Sequence, residues 1–218
     1  MKSLKRVVGW LLRSLLMLAM GPTLAATITG SAHDFTASAW SGGRICVACH
    51  APHKTDTTIA DAPLWNHTSS AATYTLYSSP TLKATISQPG GGSKLCLSCH
   101  DGTIAVNSFG GVTGTTMISP ANNIGTNLKA SHPIGFTYDT ALATANGSLF
   151  DPASKTVTIG SGTQTKTGTV NAMLLYGNKM ECGSCHDVHN TFTVGALGTG
   201  LVKVDPAGSK ICLSCHNK

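Results

Sequence analysis

The stretch Cys46-Val47-Ala48-Cys49-His50-Ala51-Pro52-His53 decides how this chain is interpreted. Two cysteines separated by two residues and followed directly by histidine are typical of covalent haem attachment, in which both thiols join the porphyrin and the histidine ligates the iron. His53 follows the first histidine by three residues. The stretch therefore predicts a c-type haem site with a second histidine that is available for another iron.

The motif occurs four times and uses all eight cysteines. We number the motifs sites 1 to 4 in chain order: Cys46/Cys49/His50, Cys96/Cys99/His100, Cys182/Cys185/His186 and Cys212/Cys215/His216. Four disulfides, or two zinc sites of four cysteines each, would also use every cysteine. Neither alternative explains the histidine that follows each pair. The pattern therefore predicts four covalently attached haems c, with the four motif histidines as proximal iron ligands.

The N-terminal residues have the layout of a secretory signal peptide. A basic start precedes an apolar run over residues 7–20, and small residues lead to Ala26. The alternative is an uncleaved N-terminal anchor, although Arg13 interrupts the run. No later segment approaches the roughly 20 apolar residues of a spanning helix. We expect residues 1–26 to be removed and the protein to be secreted, to the extracellular space or outer cell surface or, alternatively, to the periplasm.

The mature chain has few apolar residues with which to build a core. Leu, Ile, Val and Phe make up 37 of the 192 residues after Ala26, about 19%, which is at the lower edge of what an ordinary packed domain needs. Four porphyrins would supply the missing apolar surface and offset the entropy of ordering the chain. We therefore predict a mostly irregular, coil-rich fold with short helices and a few short strands, wrapped around four haems.

The charge of the mature chain does not favour nucleic-acid binding. Eleven basic residues against nine acidic ones leave a formal charge of +2 after Ala26. There is no basic run and no interleaved aromatic surface of the kind that nucleic-acid binding requires. Four haems would add up to about eight carboxylates, so the loaded protein should be negative.

An internal repeat divides the chain. Residues 45–53 parallel 181–189, and residues 92–100 parallel 208–216. The repeat predicts two diheme halves, 27–101 and 102–218, in one compact haem-cored unit. Residues 54–95 are predicted to form a long polar connection within the first half.

Local patterns predict little regular structure. Residues 155–159 and 164–170 alternate around Gly160-Ser161-Gly162, which predicts a β-hairpin. A short helix is expected over residues 172–176, before site 3. Three methionines remain after processing, Met117, Met173 and Met180, and none has a spacing that indicates iron ligation, so we expect them to pack against porphyrins.

Five histidines are candidates for distal iron ligands: His33, His53, His67, His132 and His189. They suffice for two histidines at every iron, with one in excess. His53 and His189 lie too close to their own proximal histidines to reach the opposite face of the same porphyrin, so each is expected to ligate the other haem of its half. The repeat assigns His33 and His53 to the first half and His132 and His189 to the second. Alternatively, His67 serves within the chain, and His33, near the mature N-terminus, ligates a haem of a neighbouring molecule.

At this point the chain resembles a known family. Its doubled motifs, together with His33-Asp34-Phe35, Trp65-Asn66-His67, His132-Pro133-Ile134-Gly135 and a haem site almost at the C-terminus, are similar to the multihaem cytochromes c that polymerise outside the cell, the OmcE-like cytochrome nanowires. The resemblance implies a closely spaced haem chain with stacked and T-shaped contacts and bis-histidine irons. It also implies an axial histidine donated across the subunit interface.

The ligand count favours electron transfer over catalysis, because a six-coordinate iron has no position for a substrate. The leading hypothesis is an extracellular electron conduit that forms a homopolymer and delivers electrons to an outside acceptor. A soluble periplasmic carrier that exchanges electrons with other redox proteins and feeds a terminal reductase is the alternative. A multihaem reductase is a third hypothesis and would need a five-coordinate haem.

We predict that the mature protein begins close to residue 27 and carries four haems through thioether bonds. Intact-mass spectrometry of the exported protein tests both points, because the mass should equal residues 27–218 plus four haem groups. A mass that retains residues 1–26, or one with fewer than four haems, would contradict the corresponding prediction.

Overall fold

Irregular backbone makes up most of this chain. The computed structural model describes residues 28–53, 55–59, 62, 64–195 and 200–218, so the predicted signal peptide lies outside the described residues. Short helices and two two-stranded sheets interrupt the turns and coil, which confirms the predicted coil-rich fold class. The wrapping around haems stays a prediction. In the described part of the chain, no helix is long and apolar enough to cross a membrane.

Three of the helices described carry haem motifs. The helices are α1 (Gly91–His100), α2 (Thr140–Asn146), α3 (Val170–Leu174), α4 (Cys182–Cys185) and α5 (Lys210–Leu213). Single 3₁₀ turns cover Ala39–Ser41, Pro120–Asn122 and Ala207–Ser209. The strands are β1 (Phe136–Thr137), β2 (Thr156–Ser161), β3 (Gln164–Thr169) and β4 (Lys179–Met180). Sites 2, 3 and 4 involve α1, α4 and α5, whereas site 1 lies in a turn.

The predicted hairpin is confirmed, with its turn shifted. Strands β2 and β3 pair antiparallel, and Ser161 opposes Gln164, so the two-residue turn is Gly162-Thr163. Gly162 has φ +58°, and a glycine with positive φ in the first turn position suits the twist of a hairpin. The predicted helix before site 3 starts two residues earlier, as α3, because the Thr169 hydroxyl caps it by accepting from the Ala172 N–H at 3.2 Å.

The larger core lies in the second half of the chain. One face of the hairpin and one face of α3 pack on the β1–β4 sheet. The buried members of this cluster are Phe136, Tyr138, Ala143, Val157, Ile159, Val170, Leu174, Leu175, Met180 and Val204. In the first half, a smaller cluster joins Tyr74, Leu97 and Leu128. The scarcity of apolar residues is therefore most evident around sites 1 and 2.

The predicted long connection is shorter than expected. Helix α1 begins at Gly91, so the connection ends at residue 90, five residues before residue 95. The helix turns Ser93, Leu97 and Ser98 inwards, and all three are buried, which stabilises it despite its glycine-rich start. The backbone of Tyr74 and the side-chain amide of Gln88 exchange two hydrogen bonds, at 2.8 and 2.9 Å, and this contact closes much of the connection into a loop.

A buried polar contact holds α1 against α4. The Ser93 hydroxyl donates to the Glu181 carboxylate and accepts from the Cys182 N–H at 2.9 Å. Ser93 and Glu181 are both buried, and Glu181 also forms a reciprocal capping box with Ser184 at the start of α4. This contact ties site 2 to site 3 across the two predicted halves.

We predict that Ser93→Ala destabilises the haem-loaded protein by about 1–3 kcal/mol, because it removes one of the hydrogen bonds to the buried Glu181 carboxylate and leaves the Cys182 N–H without its acceptor. The matched control is Ser209→Ala, at the equivalent position of the repeat, where the serine is exposed. Its effect should stay within about 0.5 kcal/mol. Chemical unfolding of both variants measures the difference, and equal stabilities would contradict the role of this contact.

Candidate haem-binding sites

Each motif forms a single turn that holds its histidine over its two cysteines. The histidine N–H donates to the first cysteine's carbonyl at sites 1, 3 and 4, at 2.8, 3.1 and 2.9 Å. All eight cysteines lie in the described residues as free thiols, in keeping with thioether attachment. The turn of each motif therefore forms without a disulfide bond between its two cysteines.

Backbone pairing fixes the proximal histidines further. His50, His186 and His216 form isolated antiparallel bridges with Trp65, Val202 and Leu149. At site 2 the histidine ends α1, and its carbonyl accepts from the Ile124 N–H at 2.7 Å. Each proximal histidine is therefore held by a neighbouring segment as well as by its own motif.

In four histidine rings, the Nδ1 atom lies at hydrogen-bond distance from a backbone carbonyl oxygen. The distances are 2.9 Å from His100 to Asn122, 2.5 Å from His186 to Gly200, 2.8 Å from His67 to Thr68 and 2.9 Å from His132 to Pro133. A metal-binding histidine usually donates its other ring N–H in this way, which fixes the tautomer and orients the ring. This arrangement leaves the Nε2 atom for iron, except in His67, whose Nε2 atom lies 3.1 Å from the Ala105 carbonyl oxygen.

Neighbouring sites in the sequence are also neighbours in space. Burial and the nearby Cys49 thiol raise the pKa of Cys99 to about 12, which joins sites 1 and 2. A hydrogen bond from Cys96 to Cys182 raises the pKa of Cys96 and lowers that of Cys182, which joins sites 2 and 3. Burial and the nearby Cys185 raise the pKa of Cys215 to about 11. The thiols of successive sites are therefore close enough to interact electrostatically, in the order 1, 2, 3, 4.

Three proximal histidines each face one distal candidate. The ring centroids lie 6.2 Å apart for His50 and His189, 6.0 Å for His100 and His33, and 6.4 Å for His216 and His132. The interplanar angles are 18°, 53° and 80° in the same order. Imidazole nitrogens bind such metals at about 2 Å, so two rings on opposite faces of one ion have centroids about 6 Å apart. Each of these three distal candidates is paired with a single proximal histidine.

His189 is predicted to ligate the other haem of its own half, and that assignment stays a prediction. In the structure its ring centroid lies 6.2 Å from that of His50, in the first half. Asp187 holds the segment in this position, because its carboxylate accepts from the N–H groups of His189, Thr191 and Phe192 at 3.1, 2.9 and 2.8 Å. The equivalent position of site 1 is Ala51, which has no such acceptor. The two parallel motifs therefore direct their second histidines differently.

His53 and His67 are the two candidates without a proximal partner in the ring contacts of the described residues. His67 is buried, and its Nε2 atom lies 3.1 Å from the Ala105 carbonyl and 3.5 Å from the Cys99 sulfur. His53 is exposed. Over the same part of the chain, His186 has no ring contact with another histidine, and it is exposed as well. Within the described residues, site 3 is thus the motif whose proximal histidine has no second histidine ring beside it.

The environment of the paired rings fits haem iron. Burial, and then the nearby charges of His100, His186 and His189, lower the pKa of His33 to about 4, so this ring is neutral at neutral pH and its lone pair is free to bind metal. Two buried side-chain nitrogens in the described residues lack a hydrogen-bond partner, His33 Nδ1 and Trp65 Nε1. Both belong to rings within 6.3 Å of a proximal histidine ring, where a cofactor could provide an acceptor.

Sequence reasoning missed the acidic residue that follows the motif at site 2. Asp101 is buried and accepts from Ser70 Oγ at 2.5 Å, Tyr74 Oη at 2.6 Å and the Thr103 N–H at 2.8 Å. Burial alone would raise the pKa of Asp101, but these hydrogen bonds lower it below its ordinary value. The carboxylate is therefore ionised next to His100, and a fixed negative charge there favours ferric iron. The signal in the sequence that could have identified this residue is its position directly after the haem motif.

The methionines take no position opposite a proximal histidine ring. Met180 is buried in the larger core, Met173 packs against that core, and Met117 is exposed. Met173 and Met180 pack against protein side chains, and contact with porphyrins stays a prediction.

Comparison with protein families supports the same interpretation. Residues 177–218, which contain sites 3 and 4, match the family described as the doubled CXXCH motif. A comparison with curated proteins gives no match. The family match supports a multihaem c-type cytochrome, with covalently bound haem at the motifs and electron transfer as its general function.

Proposed function

We propose that this chain is a tetrahaem electron-transfer protein, with one haem c at each of the four motifs. The observation that carries the proposal is the set of three histidine pairs with ring centroids 6.0–6.4 Å apart. The successive adjacency of the attachment thiols supports a continuous row of cofactors. Electrons would enter at one end of this row and leave at the other.

The pairs supply the axial ligands for three irons. His50 and His189 would hold the haem iron at site 1, His100 and His33 that at site 2, and His216 and His132 that at site 4. An iron with two histidines is six-coordinate and has a low potential compared with one that has a methionine. Such an iron exchanges electrons and offers no position for a substrate, so these three haems carry current and do not catalyse bond rearrangement.

We propose further that the protein forms an extracellular conduit in which the iron at site 3 is completed by a neighbouring copy. His186 and His53 are both exposed, as a ligand pair shared between two molecules requires. His33, which the alternative sequence assignment gives this role, lies against His100 of its own chain. A contact between His53 of one copy and site 3 of the next is heterologous, so it extends into an open chain of protomers.

We predict that His189→Ala keeps four haems but converts one from low-spin to high-spin, since site 1 loses its distal nitrogen. Electron paramagnetic resonance and optical spectra of the purified protein measure the spin states. Val188→Ala, at the exposed neighbouring position, is the matched control and should leave all spin states as in the wild type. A fully unchanged spectrum for His189→Ala would contradict the pairing of His189 with His50.

We predict that His53→Ala abolishes filaments, whereas His33→Ala leaves them intact but with one high-spin haem in each protomer. The first variant removes the ligand between copies and the second removes a ligand within the chain. Electron microscopy of exported protein, with spectra of the same samples, separates the two results. Filaments of His53→Ala with only low-spin haem would rule out this interface, and wild-type protein that stays monomeric at high concentration would favour the periplasmic carrier.

A further inference from the structure

The carboxylates of this chain are mostly occupied by its own backbone and hydroxyl groups. Seven of the eight acidic residues described accept hydrogen bonds from N–H or O–H groups without a lysine or arginine: Asp34, Asp56, Asp101, Asp139, Asp151, Glu181 and Asp187. Only Asp205 forms an ion pair within the described ranges, with Lys210 at 2.9 Å. The other basic residues in this part of the chain therefore form no ion pair with any of the eight carboxylates described.

Lys203 is the basic residue for which this matters most, because it is only 7% exposed. Its backbone is fixed on both sides: its N–H donates to the Cys185 carbonyl at 2.8 Å, and its own carbonyl accepts from the Gly160 N–H at 2.8 Å. The side chain thus starts from a rigid position between site 3 and the hairpin. A buried ammonium group without an anion is strongly unfavourable.

Among the described residues, the ammonium group has one polar contact, and that contact is with a neutral group. Lys203 Nζ donates to the Tyr176 hydroxyl at 3.2 Å and lies 5.1 Å from the centroid of the same ring. The Tyr176 hydroxyl in turn donates to the Gly183 carbonyl within site 3, at 3.3 Å. A lysine ammonium has three N–H donors, so two remain after the contact with Tyr176. The tyrosine orients the group without neutralising its charge.

We propose that Lys203 binds a propionate carboxylate of the haem at site 3 or site 4. The inference rests on the proposed function, since it requires covalently bound haem. Lys203 lies close enough to Cys185 for its charge to act on that thiol, and Cys185 in turn adjoins Cys215 of site 4. Haem carboxylates are the anions that enter this region with the cofactors. Lys203 is thereby a binding residue for the cofactor's acidic edge, outside the four motifs and the iron ligands.

A cation next to a haem propionate stabilises ferrous iron over ferric iron, because reduction lowers the positive charge of the haem. Removing the cation should therefore lower the reduction potential of that haem. The rival explanation is that Lys203 merely buries its aliphatic stem against Tyr176. In that case its charge would have no specific partner, and its removal would affect all haems weakly or not at all.

The test compares Lys203→Gln with Lys179→Gln in the haem-loaded protein. Lys179 pairs with Tyr176 through the backbone but is exposed, so it controls for the loss of one charge in the same region. We expect Lys203→Gln to keep four haems and to shift one of the four one-electron equilibria about tenfold towards the ferric form, which corresponds to about 59 mV. Lys203→Arg should keep the wild-type potential, and Lys179→Gln should leave all four unchanged. Spectroelectrochemical titration measures the potentials.

Unchanged potentials in Lys203→Gln, with four haems bound, would overturn the inference and leave the proposed function intact. Absence of covalent haem in the wild-type protein would instead overturn the proposed function. If Lys203→Gln does not assemble, an experimental structure of the wild-type holoprotein decides the matter. A haem carboxylate oxygen at hydrogen-bond distance from Lys203 Nζ supports the inference, and a nitrogen that contacts only Tyr176 and solvent refutes it.

Discussion

Three pairs of histidine rings from distant parts of this chain lie at the separation that two imidazoles need to bind one iron from opposite faces. The three pairs have centroid distances within 0.4 Å of one another, from 6.0 to 6.4 Å, although the six histidines come from very different positions in the chain. Their interplanar angles range from 18° to 80°. Iron ligation restrains the distance between the two nitrogens and leaves rotation about the axis free. A constant distance with variable angles is what ligation requires.

Polar contacts, rather than a large apolar core, hold these rings in place. The first half of the chain has only a small buried cluster around Leu97. Around it, Asp101 gathers the hydroxyls of Ser70 and Tyr74, and Ser93 joins Glu181. These groups are buried and satisfied, and satisfied networks of this kind specify a single arrangement. The remaining apolar surface is what the porphyrins would provide, so stability and cofactor attachment are expected to depend on each other.

The sequence predicted the local features of this protein better than its long-range pairings. Motif spacing predicts the eight attachment cysteines and four proximal histidines, and the alternation around Gly162 predicted the hairpin that the structure contains, because both depend on residues close in the chain. The repeat does not predict which distant histidine rings lie side by side. Its two copies look equivalent in sequence but differ in structure. Asp187 accepts hydrogen bonds from the loop that contains His189, whereas Ala51, at the equivalent position, has no side-chain acceptor. Ser93 is buried, whereas the equivalent Ser209 is exposed. Partners more than 100 residues apart, such as His50 and His189, leave no local pattern to recognise.

In the proposed conduit, one chain completes three of its four irons and a neighbouring copy completes the fourth. Quantitative electron paramagnetic resonance of the wild-type protein, first held as a monomer by dilution and then concentrated, measures the spin state of each haem. We expect three low-spin haems and one high-spin haem per dilute chain, and we expect the high-spin signal to disappear as the chains associate. Four low-spin haems in the monomer, or fewer than three, would contradict it.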